Sequence, residues 1–142
     1  MNFFPLYIPM ALMLILTFLV WCFMYYKRIG YSIANRIDAE KLYSPAQVAK
    51  LLPDDVNAPS NNLKNLFEMP VLFYVAIIVA ALHNDHSITS NLSAWSFVFF
   101  RYCHSGFHCF NGKVMSRFIC YLLSSLALFV LMANVFFQVL SR

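Results

Sequence analysis

Charge is what this chain has least of. Only 11% of its 142 residues are Asp, Glu, Lys or Arg, and six of them are acidic. With 61% hydrophobic residues, a soluble domain of this size could not hide its apolar surface. An integral membrane protein is the class that remains. The net charge is +4, but basic residues do not interleave with aromatics in any soluble-looking patch, which argues against a nucleic-acid partner. No CxxC pair occurs. Cys22, Cys103, Cys109 and Cys120 lie in apolar segments, so buried free thiols are expected instead of a disulfide framework. The first segment has no basic leader, and no small-x-small site follows its long apolar run. It reads as a retained helix, not a signal peptide.

What the chain has is apolar length. Four spans are expected, at about 4–26, 62–82, 92–110 and 114–140, forming a single domain over 1–142. A span needs roughly 20 residues. Phe4 to Tyr26 supplies that alone, with Pro5 and Pro9 in its first turns, where a missing N–H matters little. Trp21, Tyr25 and Tyr26 followed by Lys27 and Arg28 mark a membrane boundary. The connection 28–60 is polar. A short amphipathic helix is expected near Pro45 to Leu52, capped by Ser44, with an extended stretch after it. His83 to Asn91 reads as a polar turn, and Asn111-Gly112 as a tight one that makes the third and fourth spans antiparallel neighbours.

Val71 to Leu82 is too short to cross unaided, so the second span must borrow from the polar residues before it. Asn61, Lys64, Asn65 and Glu68 then share one face of one helix, with a kink expected at Pro70. The third span borrows Arg101, His104 and His108; the fourth carries Arg117 and Tyr121 near its start. Basic residues concentrate in the first and third connections, which places these on the cytoplasmic side and both termini outside. The intramembrane polar side chains thus gather in one leaflet.

Such a cluster suits a ligand bearing carboxylates and an amine. Arginine grips carboxylates in a bidentate fork, and Glu68 can accept from an ammonium. A cationic pocket also favours a bound thiolate. Each residue has a plainer reading. Arg101 and Arg117 can snorkel to headgroups. Glu68 can bridge to Lys64 one turn away. His104 and His108 are spaced for a metal, but no third ligand is evident and Cys103 and Cys109 fall elsewhere around the helix, so no metal is expected. Tyr121 can be an interfacial aromatic.

Asn65-x-x-Glu68, Arg101-x-x-His104 and Arg117-x-x-x-Tyr121, in this order, resemble the MAPEG superfamily of membrane-associated proteins in eicosanoid and glutathione metabolism. The likeness covers nearly the whole chain and is greatest to the bacterial branch, where stretches like Asn65-Leu66-Phe67-Glu68-Met69-Pro70 are familiar. It implies an all-α, integral membrane four-helix bundle assembled as a homotrimer, in a bacterial inner membrane more than a microsomal one. Glutathione would bind as co-substrate between subunits, contacted by Lys64, Asn65, Glu68, Arg101, His104 and His108. Arg117 would hold its thiolate, with Tyr121 beside it. The implied activity is a transferase or peroxidase acting on lipophilic electrophiles or lipid hydroperoxides. Asn61, Lys64, His108 and Phe118 depart from the usual residues and thin the carboxylate clamp. A non-catalytic lipid-binding or scaffolding protein of the same fold is the alternative. A small proton-coupled exporter, resting on four spans and the one membrane carboxylate of Glu68, is the third.

Overall fold

The structure is a computed structural model and describes residues 6–111 and 113–141. The expectation for Pro5 lies outside them. Among the described residues the fold is helical throughout. α1 is Tyr7–Ala34, a 3₁₀ turn is Ala39–Leu42, and α2 is Pro45–Leu51. α3 is Asp54–Leu66, α4 Met69–Leu82 and α5 Ile88–Gly106. A π-turn, Phe107–Asn111, leads toward α6, Val114–Leu140.

Among the described residues, length and composition let three stretches cross a membrane: Tyr7–Ala34, Asp54–Leu82 and Val114–Leu140. α5 completes the bundle as a more polar fourth helix packed mainly on α6. The packing is antiparallel. His104, late in α5, meets Arg117, early in α6, while Ser90, early in α5, meets Asn134, late in α6. Met13 of α1, Phe73 and Ile77 of α4, Phe97 of α5 and Leu128 and Leu131 of α6 are fully or almost fully buried. At their centre the Phe73 and Phe97 rings stack with centroids 4.4 Å apart. Outside this core the helices expose large apolar side chains along their length, among them Phe18, Val75, Phe99 and Phe129. That surface is what a bilayer solvates and water does not.

Several boundaries differ from the sequence expectation. α1 continues eight residues beyond Tyr26, because the aromatic-basic boundary marks a membrane edge and not a helix end. α2 is capped as expected, Ser44 Oγ accepting from the Gln47 N–H at 3.3 Å. The stretch after it is not extended: α3 begins at Asp54. Asp54 and Asp55 sit in its first turn, where the helix dipole favours acids. The helix continues through Pro59 because Val56, Pro59, Asn62 and Leu66 form a buried face that outweighs the lost hydrogen bond. α5 begins at Ile88 instead of Leu92, its first turn capped by Ser87 Oγ accepting from the Ser90 N–H.

The expected bend beside Glu68 is a full break. α3 stops at Leu66, and Glu68 precedes α4 with φ −98° and ψ −99°. Pro70 lacks the N–H that would bond the Leu66 carbonyl, and its ring crowds that oxygen. The single stripe Asn61–Lys64–Asn65–Glu68 is therefore interrupted, and Glu68 lies off it.

Candidate functional site

Arg101 is the largest fully buried side chain among the described residues. α5 turns it inward, between the rings of Phe97 on its own helix and Tyr121 on α6, with the guanidinium carbon 5.4 and 4.8 Å from the two centroids. None of its three side-chain nitrogens meets hydrogen-bond geometry with another group. Among the described residues the one ion pair is Lys27–Asp55 at 3.4 Å. Arg101 therefore has no contacting counter-ion among the described residues. It interacts first with the Tyr121 hydroxyl beside it and, at longer range, with the carboxylate of Glu68.

One turn on, His104 Nδ1 donates to the Arg117 carbonyl at 3.0 Å. That bond assigns the tautomer: in the neutral ring Nε2 is an acceptor, and it is buried without a partner. His108 follows, its ring 5.6 Å from that of His104, with Nδ1 also buried and unpartnered. The Tyr121 ring lies 5.9 Å from His104. Arg117 and His108 line a cavity of about 550 Å³ together with Asn61, Asp54, Asp55 and Cys109.

Arg101, His104, His108, Arg117 and Tyr121 are thus brought together across the α5–α6 hairpin. Lys64, Asn65 and Glu68 are not part of that group. Lys64 is exposed and lines a second cavity, of about 360 Å³, with Arg28, Asn57 and Ser60. Asn65 is half-buried in the last turn of α3, and Glu68 is exposed beyond the break. Lys64 and Glu68 form no ion pair, since the break removes the i, i+4 geometry their spacing suggested. Asp54 and Asn61 line both cavities.

The thiols also differ from expectation. All four cysteines are free, but only Cys120 is buried, and Cys22 is exposed. Cys109 does not face away from the histidines. The wider π-turn places it with His108 on one cavity wall, where its Sγ accepts from Asn62 Nδ2 at 3.5 Å. Among the described residues no three His, Cys, Asp or Glu side chains are grouped to hold a metal ion.

Three contributors were missed from sequence. Asn62 is completely buried and accepts from Ser105 Oγ at 3.4 Å, tying α3 to the end of α5. Its signal was present as a polar residue in register with Val56, Pro59 and Leu66. Asp54 and Asp55 fall in the polar connection 28–60, where an extended stretch is expected, because the second span is expected from 62 while α3 starts at Asp54.

Fold and site define the class: an integral, multi-pass membrane bundle with a buried cationic cluster at one end. Comparison with family profiles matches the MAPEG family over residues 6–137. The chain belongs to that family. Comparison with curated proteins returned no match, and comparison with solved structures returned none.

Proposed function

We propose that the protein is a glutathione-dependent transferase or peroxidase acting on lipophilic electrophiles or lipid hydroperoxides. In this reading it works as a homotrimer with both termini outside the cytoplasm. Membership of a family that includes glutathione transferases and peroxidases supports this. The observation that carries the reading is Arg101. A buried guanidinium whose near neighbours are the Phe97 and Tyr121 side chains, with no contacting counter-ion among the described residues, is unfavourable unless an anion completes it. Glutathione brings two carboxylates and an ammonium. In this reading Arg101 would meet one carboxylate from the buried cluster, while Lys64 and Glu68, which this chain holds apart from that cluster, would meet the second carboxylate and the ammonium of a ligand seated between subunits. The unpartnered His104 Nε2 can accept an amide or thiol proton.

Arg117 would hold the thiolate beside Tyr121. A thiolate there attacks an electrophilic carbon, forming a C–S bond as a leaving anion departs or, at an activated alkene, as the π electrons shift and the adjacent carbon takes a proton. Alternatively it attacks a hydroperoxide oxygen, releasing the lipid alcohol and leaving a glutathione sulfenic acid for a second glutathione to reduce. The non-catalytic reading has one observation in its favour: the rings of Phe97 and Tyr121 stabilise Arg101 by cation–π attraction without any ligand. Titrating glutathione into the detergent-purified protein separates the two. The enzyme reading expects saturable binding and a thiolate absorbance near neutral pH that Arg117→Ala abolishes. Absence of saturable binding overturns it.

A further inference from the structure

The basic residues at the end of α1 lie apart from the Arg101 cluster and border a groove of different character. It measures about 400 Å³ and is walled by Ile29, Ile33, Ile37 and Leu42, with Arg28 and Arg36 among its lining residues. Its size falls in the range that accepts a small ligand. No acidic residue lines it. Ile29 and Ile33 are 53% and 73% exposed.

Depth gives that exposure its meaning. Twenty helical residues cover a hydrocarbon core of about 30 Å, which takes α1 from Tyr7 to Tyr26. At 1.5 Å per residue, Ile29 and Ile33 then lie about 4 and 10 Å past the hydrocarbon edge, among the headgroups. An apolar surface within the core is solvated by lipid tails. At headgroup depth it requires a specific cover.

Two further observations concern charge. Arg28 Nε and Ser32 Oγ are buried without hydrogen-bond partners, although Arg28 Nη2 donates to Ser60 Oγ at 3.4 Å. Arg36 stands where a helix of this ending normally places glycine. Its N–H donates to the Ile33 carbonyl, the Ile37 N–H donates to Ser32, and its φ is +51°. An arginine held in the left-handed region at the edge of a groove is strain retained where a ligand would use it.

We propose that this groove binds one anionic phospholipid of the surrounding bilayer. Its glycerol and upper acyl segment lie on Ile29, Ile33 and Ile37, and its phosphate meets Arg28, Ser32 and Arg36. Charge complementarity selects this occupant: two arginines and an unpartnered hydroxyl match a phosphate, and nothing in the groove neutralises them. The proposal stands independently of the glutathione reading.

The test uses the full chain in nanodiscs of mixed phosphatidylglycerol and phosphatidylcholine, followed by native mass spectrometry in mild detergent. One phosphatidylglycerol per chain is expected, in preference to phosphatidylcholine. Arg36→Gly lowers its retention about fivefold, while the melting temperature holds or rises because glycine suits the backbone there. Ile33→Asn lowers retention as well. Lys41→Gln and Lys50→Gln, exposed in the same connection but outside the groove, leave it unchanged. Equal losses in the lysine variants would reduce the effect to diffuse surface charge and overturn the site. So would unchanged retention in Arg36→Gly, or a loss of subunit association in place of lipid.

Discussion

The two ends of the bundle each bury polar groups, and they treat them oppositely. At the Asp85 end the buried polar side chains of Asp85 and Ser90 both find partners. Asp85 Oδ1 accepts from the Ser87 N–H at 2.8 Å and Oδ2 from Ser90 Oγ. Asn134 Nδ2 reaches back from α6 to Ser87 Oγ at 2.9 Å and Ser90 Oγ at 2.8 Å. At the Arg101 end five side-chain nitrogens, on Arg101, His104 and His108, are buried with no partner. A closed network specifies structure; an open one specifies what is missing. Charge alone would not separate these ends, since both carry an ionisable group in a buried setting. Satisfaction separates them.

Breaking the open end should have the largest effect. Arg101→Met is expected to lower glutathione affinity about 30-fold or more, the loss of charge-assisted hydrogen bonds. The unliganded protein should melt higher, because an uncompensated buried charge is removed. Calorimetric titration and thermal unfolding of the same sample check both. A lower melting temperature in the variant would mean that Arg101 already has a partner within the fold.

Breaking the closed end should do the reverse. Asp85→Ala is expected to cost about 2 kcal/mol of stability by leaving the Ser87 and Ser90 donors unmet, with glutathione affinity unchanged. Its pH dependence follows from the same contacts. Burial pushes the Asp85 carboxyl up, but hydrogen bonds from Ser90, Gln138 and Ser87 outweigh it and hold the pKa below its ordinary 3.8. The folded state thus favours the ionised form. The stabilisation is complete above the unfolded value and is lost as pH falls through the lower folded value. Thermal melts of wild type should lose stability below about pH 4, a slope that Asp85→Asn lacks.

The smallest effect concerns the break between the ends. Pro70→Ala restores the N–H that can reach the Leu66 carbonyl, so α3 and α4 should join and Glu68 return to the α3 stripe. A few-fold weakening of glutathione binding is expected. An unchanged titration would remove Glu68 from the ligand site.

Much of this comparison was visible along the chain, though not across it. Apolar run lengths gave the helices, and α6 was bounded to the residue because Lys113 and the turn before it are strong local stops. The i, i+3 spacing of Arg101 and His104 put them on one face of α5 but left open whether that face turns inward or toward the headgroups. The start of α3 was not visible, because burial of Pro59 overrode its propensity, and the full break at Glu68 exceeded the kink that Pro70 announced. Asp85, Ser87 and Ser90 read as part of a polar turn, and Asn134, 44 residues beyond Ser90, sits inside an apolar span that gives no sign of a partner.

The sequence by itself determined that this chain is helical, lives in a membrane and concentrates its cations toward one side. Those properties depend on neighbours within a few residues and on the sum of apolar length. Only the tertiary structure decided which polar groups are answered and which are left open. That depends on the rotation and depth at which two helices meet, and no periodicity within either helix encodes it.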